Sequence, residues 1–295
     1  MRILVTGKNG QLGRSIQKIV KKENYNNQNA DDFIFVGKEE LDLSNENNIT
    51  RYFEGNAFDI IINCAAYTAV DKAEEEPNFA NQINYLAVKQ LGQIVKNQQA
   101  KLIHISTDYV FDGESDKSYV ETDKTNPINA YGRTKLAGEQ ILKEIMPTDA
   151  IIIRTSWMYS EYGNNFVKTM LRLSKERDEI NVVSDQIGSP TYATDLAEVI
   201  LKIIDDKAYQ DKGQSTEVYH YSNEGEISWY RFTEEIFKIT KIDCKVNPIT
   251  TEQYPTPAKR PKNTFMNKDK ITEAFSVSIP DWKESLTKAC KFIIK

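Results

Sequence analysis

The segment Arg2-Ile-Leu-Val-Thr-Gly-Lys-Asn-Gly-Gln-Leu-Gly13 decides the fold class of this chain. Residues 2–6 are mainly apolar or β-branched and predict a strand, and a helical pattern begins at Gln11. Between them, three glycines follow the spacing G-x-x-G-x-x-G. Gly7 permits a tight turn, Gly10 lets the backbone approach a pyrophosphate, and Gly13 allows close packing of the helix on the strand. Since a helix N-terminus also offers amides and a positive dipole end, the segment predicts a dinucleotide-binding loop.

Strand-like and helical stretches alternate from this segment onward. The strand-like runs are 2–6, 33–36, 59–63, 101–106 and 150–154, and the helical stretches are 11–22, 45–54, 79–97 and 130–144. This order predicts an α/β fold with a Rossmann-type doubly wound parallel sheet. We expect residues 1–160 to form the dinucleotide-binding domain, with its sheet completed by parts of 180–225. Residues 161–295 are expected to form mainly a smaller C-terminal substrate-binding lobe.

The less regular second half still shows periodic segments. Helical patterns cover 163–175, 194–204 and 228–239, and a short strand-like run covers 181–183. The polar stretch 24–32 predicts an exposed loop.

Composition narrows the function classes. The net charge is −5 with dispersed basic residues, which argues against a nucleic acid partner. Three widely spaced cysteines indicate a reducing compartment, and the opening apolar run is too short for a signal peptide or a membrane helix. The sequence therefore predicts a cytoplasmic protein. With only two histidines, of which His104 fits a packed strand position, a zinc site or a Ser-His-Asp triad is disfavoured.

The end of the second predicted strand bears on the cofactor. It reads Val36-Gly-Lys-Glu-Glu40, where an NAD enzyme usually carries an acid for the ribose 2′-hydroxyl. Lys38 fits a 2′-phosphate and favours NADPH, whereas Glu39 or Glu40 keeps NADH open. A surface role for Lys38 without any ligand is a further alternative.

A Tyr–Lys pair supplies candidate chemistry. Tyr131 and Lys135 are four residues apart and share one helix face. An ammonium near a phenol lowers its pKa, so that the phenol can exchange a proton with a carbonyl oxygen. The fourth predicted strand ends at Ser106-Thr107-Asp108, which places hydroxyls at the carboxyl edge of the sheet. Loop, hydroxyl and Tyr–Lys helix occur in the order expected of the short-chain dehydrogenase/reductase superfamily.

A closer resemblance rests on six motifs that extend through almost the whole chain. They are NCAAYTAVDKAE (63–74), ISTDYVFDG (105–113), YGRTKLAGE (131–139), RTSWMY (154–159), GNNFVKTM (163–170) and YPTPAKRP (254–261). Together they resemble the dTDP-4-dehydrorhamnose reductase family. The resemblance implies an extended short-chain reductase that uses NADPH, with NADH as the alternative, to reduce a dTDP-linked 4-keto sugar to dTDP-L-rhamnose.

The resemblance also implies roles for individual residues. Tyr131 is implied as proton donor, Lys135 as the residue that holds the nicotinamide ribose and Tyr131, and Thr107 as the residue that orients the carbonyl. The implied cofactor contacts, beside Lys38, Tyr131 and Lys135, are Gly7, Asn9, Gly10, Gln11, Leu12, Gly13, Asp42, Leu43, Ala65, Ala66 and Tyr67. The implied substrate contacts are Thr107, Asp108 and Trp157, with Asn165, Arg260 and Lys262 as weaker candidates. Trp157 also fits a core aromatic position, and Arg260 suits a bidentate phosphate contact.

One departure concerns metal. The resemblance implies that some family members form a metal-bridged dimer through carboxylates near the first helix and after the Pro-Thr pair. This chain has Ser15 and Thr194 at what correspond to those positions. We therefore expect no metal, and a monomer or weak homodimer. Two alternatives remain, a nucleotide-sugar epimerase with retained NAD and a non-catalytic dinucleotide-binding regulatory subunit. A dehydratase is disfavoured because Tyr109, not an acid, follows Asp108.

Overall fold

The main sheet is parallel throughout and has six strands. A computed structural model describes residues 1–22 and 31–294, so most of the predicted loop at 24–32 lies outside the described residues. The strands in the described residues, inside and outside the main sheet, are β1 Arg2–Thr6, β2 Asp32–Val36, β3 Ile60–Asn63, β4 Lys101–Thr107, β5 Ala150–Thr155, β6 Met158–Tyr159, β7 Glu179–Val183, β8 Ile187–Gly188, β9 Thr191–Tyr192, β10 Glu217–Tyr221, β11 Ile227–Ser228 and β12 Lys245–Ile249. The main sheet has the order β10-β5-β4-β3-β1-β2. This order confirms the Rossmann-type fold.

Helices cover both faces of this sheet, and others build the C-terminal half. They are α1 Gln11–Lys22, α2 Glu46–Glu54, α3 Val70–Glu75, α4 Pro77–Asn81, α5 Ala87–Asn97, α6 Ala130–Ile145, α7 Phe166–Glu176, α8 Ala193–Asp205, α9 Lys207–Gln210, α10 Trp229–Thr240, α11 Asp269–Phe275 and α12 Trp282–Ile293. Ile62 and Ile103 face the core formed with α1, α8 and α11, whereas Ile61 and Leu102 face the core formed with α2, α5 and α6. Because the strands are buried on both faces, they read as continuous apolar runs.

The expected single helix over 79–97 is wrong in detail. The segment is divided into α4, a π-helical turn at Gln82–Leu86 and α5. Asn84 lies in the turn, where its side chain accepts from the Tyr67 amide at 2.9 Å and donates to the Tyr67 carbonyl at 3.1 Å. A Cβ at Gly138 would lie 2.3 Å from the Asn84 carbonyl oxygen, so α6 packs directly on the turn. The turn thus fixes α6, the helix that carries Tyr131 and Lys135, to the loop after β3.

A third apolar cluster lies in the C-terminal half. It includes Tyr159, Val167, Ile180, Phe232 and Leu286 from β6, α7, β7, α10 and α12. The run expected at 181–183 belongs to β7, which pairs in parallel with β12 and not with the main sheet. From the region 180–225, β10 pairs with β5. Among the described helices, none is long and apolar enough to cross a membrane.

Candidate active site

The carboxyl ends of the main strands open into a cavity of about 710 Å³. Its walls come from the glycine loop, the ends of β2, β3 and β4, the start of α6, and the segments after β5 and before α7. The predicted site residues that line it are Gly7, Gly10, Gln11, Leu12, Lys38, Asp42, Leu43, Ala65, Ala66, Thr107, Asp108, Tyr131, Lys135 and Trp157. The predicted residues outside this lining are Asn9, Gly13, Tyr67, Asn165, Arg260 and Lys262.

The glycine loop has the geometry of a phosphate cradle. Gly7 has φ +69°, which favours glycine, and its carbonyl accepts from the Gly10 amide at 2.9 Å. A Cβ at Gly13 would lie 2.4 Å from that carbonyl oxygen, so only glycine allows this close packing of α1. At Gly10 a Cβ would meet only the Gly7 oxygen, at 3.2 Å, which leaves the cavity side open for a pyrophosphate. The residues present therefore fit a dinucleotide.

Gln11 joins this loop to the second half of the chain. Its side-chain oxygen accepts from Ser160 and from Asn165, each at 3.0 Å, and its amide donates to the Met158 carbonyl at 3.2 Å. Asn165 is also the N-cap of α7 and accepts from the Lys168 amide. Asn165 therefore lies behind Gln11, where it holds α7 against the glycine loop.

The residues after β2 differ in whether they are available to contact the adenosine ribose of a cofactor. The Glu40 carboxylate accepts from the Gly37 amide at 2.9 Å and pairs with Lys8, and these bonds lower its pKa. Lys38 lines the cavity with 71% of its side chain exposed, 4.0 Å from Asp42. The cation at this edge is thus available to a ligand, whereas Glu40 is already bound.

Thr107 and Asp108 end β4 at the floor of the cavity. Thr107 Oγ1 donates to Asp108 Oδ1 at 3.0 Å and accepts from the Tyr109 amide at 3.2 Å. Burial raises the pKa of Asp108 to about 6, although hydrogen bonds with Thr264 and Thr107 lower it. At neutral pH the group is therefore mostly ionised, and a carboxylate is suited to accept hydrogen bonds from sugar hydroxyls.

Tyr131 and Lys135 lie on the cavity side of α6. Asn129 caps the helix by accepting from the Gly132 amide at 2.8 Å. Burial raises the pKa of Tyr131 to about 12, while a hydrogen bond with Thr107 lowers it. The expected lowering by Lys135 is wrong: burial disfavours the phenolate most strongly, and the influence that opposes it is the hydrogen bond with Thr107, not the charge of Lys135. Tyr131 therefore keeps its proton at neutral pH, as a proton donor must.

Lys135 is held deep in the site. Its ammonium donates to the Ile105 carbonyl at 2.7 Å, and only 1% of the residue is exposed. Burial lowers its pKa to about 8, partly offset by the charge of Glu139. Glu139 itself is paired with Arg154 on β5 at 2.7 Å, with both side chains almost fully buried. The pair fixes α6 to the sheet, and removing one partner of such a pair costs about 3–5 kcal/mol.

The opposite wall carries aromatic side chains. Trp157 stacks on Trp229 with ring centroids 3.5 Å apart, and its φ of +47° is unusual for a bulky residue. A Cβ at Gly188 would lie 2.9 Å from the Trp157 ring, so glycine is needed behind it. Both indoles line the cavity, which places Trp157 at the site and not in the core.

Arg260 lies on the same side of the molecule as Tyr131, but its side chain is paired with another residue of the chain. Its guanidinium makes a bidentate pair with Asp71 at 2.6 and 2.7 Å. The preceding Lys259 carbonyl accepts from the side chain of Asn129, the α6 cap, at 2.8 Å. Both arms of the Arg260 guanidinium are therefore taken by Asp71, and neither residue lines the cavity.

Several residues at the site were not expected from the sequence. Trp229 and Phe79 line the cavity, and Glu74 accepts from the Ala130 amide at 2.7 Å to hold the start of α6. Asp71 and Glu74 both lie on α3, a six-residue helix whose segment DKAE carries too few apolar positions to be recognised. Asn84 acts through a π-helical turn, which has no simple sequence pattern.

The chain is similar to known proteins along nearly its whole length. The family model described as RmlD substrate binding domain matches residues 1–293. The dTDP-4-dehydrorhamnose reductase of Aggregatibacter actinomycetemcomitans is 42% identical over 97% of each chain. A solved dTDP-4-dehydrorhamnose reductase from Clostridium acetobutylicum superposes with a TM-score of 0.91, at 43% identity over 100% of both chains. A third, from Bacillus anthracis in complex with NADP, has a TM-score of 0.90, at 40% identity over 100% of this chain and 99% of its own.

Proposed function

Because the chain belongs to the dTDP-4-dehydrorhamnose reductase family, we propose that it reduces dTDP-4-dehydro-L-rhamnose (dTDP-6-deoxy-L-lyxo-4-hexulose) to dTDP-L-rhamnose. NADPH is the proposed cofactor, with NADH as the second candidate. The observation that carries the proposal is the meeting of Thr107, Tyr131 and Lys135 in the cavity that the glycine loop borders. A hydroxyl, a protonated phenol and an ammonium are the groups that a carbonyl reduction requires.

The residues divide the reduction between them. When bound, the reduced nicotinamide supplies a hydride to C4 of the sugar. The phenol of Tyr131 donates its proton to the alkoxide that develops on the C4 oxygen, and solvent later returns a proton to the phenolate. Thr107 would turn its single hydroxyl donor from Asp108 to the same oxygen, which holds the carbonyl for protonation. Lys135 stabilises the transient phenolate through its charge and binds the nicotinamide ribose.

Lys38 supports the choice of NADPH. Its ammonium borders the cavity at the end of β2, where the 2′-phosphate of a bound cofactor would lie. Glu40 is already engaged by Lys8 and by the Gly37 amide, so it does not offer a free carboxylate for a 2′-hydroxyl. Asp42 and Leu43 are proposed to lie at the adenine end.

The opposite wall is proposed to hold the sugar nucleotide. Asp108 would accept a hydrogen bond from a sugar hydroxyl, and Trp157 would pack on the sugar ring. Asn165 would act through Gln11 and the start of α7. Arg260 would reach the diphosphate only by exchanging Asp71 for the ligand, since both donors of its fork are now taken.

The reductase is distinguished from its two rivals by cofactor stoichiometry. The purified chain is mixed with NADPH and dTDP-4-dehydro-L-rhamnose, and the absorbance of the reduced nicotinamide is followed. We expect one NADPH to be oxidised for each sugar reduced. An epimerase with retained NAD would convert the sugar without net NADPH oxidation, and a regulatory subunit would do neither. Either result would overturn the proposal.

Cellular setting and assembly follow from smaller observations. Cys64, Cys244 and Cys290 are all free thiols, in keeping with the reducing cytoplasm. A monomer or weak homodimer is proposed.

Ser15 donates to the Gln11 carbonyl at 3.0 Å and is buried, so it offers no carboxylate to a metal that would bridge a dimer. Turnover is therefore expected to be unchanged by EDTA.

A further inference from the structure

His104 lies beside the catalytic machinery although nothing in the proposed reaction uses it. The sequence suggested only a packed strand residue, and its imidazole is indeed fully buried on β4. Its Nε2 lies 3.4 Å from the Lys135 ammonium, and its Nδ1 lies 3.0 Å from the side-chain amide of Asn63. The ring therefore spans the distance between the catalytic helix and the end of β3.

The line of polar groups continues toward the cofactor loops. The side chain of Asn63 is hydrogen-bonded to Thr6 Oγ1 at 2.7 Å, and Thr6 Oγ1 accepts from the Ala65 amide at 3.2 Å. Thr6 directly precedes the glycine loop, and Ala65 lines the cavity. Thr6, Asn63 and His104 are register partners on the neighbouring strands β1, β3 and β4. His104 therefore links Lys135 to the backbone that borders the cofactor.

The chemistry of Lys135 defines what the ring must do. An ammonium has three donors and no acceptor, and one donor is taken by the Ile105 carbonyl. Burial and the charge of Lys135 lower the pKa of His104 well below its usual range, so the imidazole is neutral. A neutral ring can accept at Nε2 only if Nδ1 carries the proton. The third donor of Lys135 is then left for the ribose.

This tautomer also sets the orientation of Asn63. Oxygen and nitrogen of a side-chain amide are assigned from their hydrogen bonds, and Nδ1–H needs an acceptor. In the structure the amide nitrogen of Asn63 faces Nδ1 and its oxygen accepts from Thr6 Oγ1, which would put the ring proton on Nε2, against the Lys135 ammonium. Exchanging the oxygen and nitrogen of this amide removes the contact between two donors: the oxygen then accepts from Nδ1, and the nitrogen donates to Thr6 Oγ1. Both ring nitrogens of His104 then have a partner, as buried polar groups require.

We propose that His104 is a positioning residue for Lys135, accepting a hydrogen bond at Nε2 so that the ammonium points at the nicotinamide ribose. The inference rests on the proposed function for its catalytic consequence, but it makes a claim about cofactor binding that holds without any sugar. A packed strand residue with no such role would contribute only to stability.

Two variants of His104 with nearly equal size distinguish a role in positioning Lys135 from a role in packing alone. In His104→Gln the side-chain amide reaches the position of Nε2 and can accept from Lys135, whereas in His104→Asn it reaches only that of Nδ1. We expect His104→Asn to weaken NADPH binding about 10- to 100-fold, the range for one hydrogen bond to a charged group, and His104→Gln to restore most of it. NADPH affinity is measured by cofactor fluorescence without sugar, and Tm is measured for both variants.

The turnover measurements add a split that packing would not produce. For His104→Asn we expect kcat to fall while KM for the sugar stays near the wild-type value, because the substrate wall is untouched. Equal NADPH affinities for the two variants, both folded, would overturn the proposal. If the wild type bound NADPH but reduced no sugar, the proposed function would fail, while the affinity order would still test His104.

A measurement on the wild type keeps the test independent of folding. The chain has only two histidines, so ¹⁵N-histidine labelling gives two ring patterns, and the His104→Gln variant assigns them. We expect the His104 ring to stay neutral at pH 7 with its proton on Nδ1. A proton on Nε2, or a charged ring, would show that Nε2 accepts nothing from Lys135 and would contradict the inference.

Discussion

The two walls of the cavity are built in different ways. The cofactor wall consists of backbone and buried groups, with Gly7 and Gly13 in close contact and Lys135 held by the Ile105 carbonyl. The substrate wall consists of side chains that are paired with each other, such as Trp157 with Trp229. The first wall is formed before any ligand binds. The second must exchange protein contacts for ligand contacts.

This difference assigns separate energetic roles to the walls. Preorganised groups act in the transition state at little reorganisation cost, so changes on the cofactor wall should affect kcat most. Paired side chains lose one partner to gain another, so changes on the substrate wall should affect KM most. The following variants test that division, beginning with the largest expected effect.

The hydroxyl of Tyr131 should carry the largest effect. Tyr131→Phe removes the proposed proton donor and keeps the ring, so we expect kcat to fall by roughly 10²- to 10⁴-fold with NADPH affinity nearly unchanged. The matched control is Tyr209→Phe, which removes another buried phenol far from the cavity, on α9. Steady-state kinetics and a cofactor titration provide both values. Wild-type turnover in Tyr131→Phe, with chemistry rate-limiting, would require another proton source.

The pH profile should follow Lys135 and Asp108 and not Tyr131. The pKa of Lys135 is lowered to about 8, so its charge is lost above that pH, whereas Tyr131, with a pKa of about 12, stays protonated. Asp108, with a pKa of about 6, loses its charge below that pH. We expect kcat/KM to fall on both sides of this window. Lys135→Arg should move the basic limb upward, and an unchanged limb would show that another group titrates there.

The aromatic pair should control the sugar and not the cofactor. Trp157→Ala removes a packing surface at the site, and we expect KM for the sugar nucleotide to rise about 10- to 100-fold, in line with losses on truncating buried aromatic contacts. NADPH affinity should stay within about threefold, since stacking is lost only on the substrate wall. Trp282→Phe is the control, because Trp282 packs on Phe232 in the C-terminal cluster. A larger loss of NADPH affinity than of sugar affinity would contradict the division.

Lys38 should have the smallest effect, confined to cofactor choice. Lys38→Ala should lower kcat/KM for NADPH about tenfold, as expected for one exposed charged contact, and leave that for NADH unchanged. Lys245→Ala is the control, since its side chain is also 71% exposed and also paired with a carboxylate, but on β12. An NADPH to NADH ratio unaltered by Lys38→Ala would show that Lys38 does not bind the phosphate.

The same contrast explains what the sequence could predict. The fold and much of the cofactor wall follow from local patterns, because Gly7, Gly10 and Gly13 are needed by one turn and Tyr131 and Lys135 by one helix face. The Arg260–Asp71 pair joins residues 189 positions apart, and no local pattern indicates it. The net rise in the pKa of Tyr131 likewise depends on burial by distant segments. The role of His104 was missed because a buried strand histidine looks the same with or without Lys135 beside it.

The transfer of the hydride itself tests the central claim most directly. NADPH deuterated at both C4 positions is incubated with the protein and dTDP-4-dehydro-L-rhamnose, and the sugar product is analysed by mass spectrometry and NMR. We expect one deuterium at C4 of the product for each NADPH oxidised, because hydride passes once from the cofactor wall to the substrate wall. A converted sugar without deuterium, or an oxidised cofactor whose lost deuterium does not appear at C4 of the product, would contradict the account.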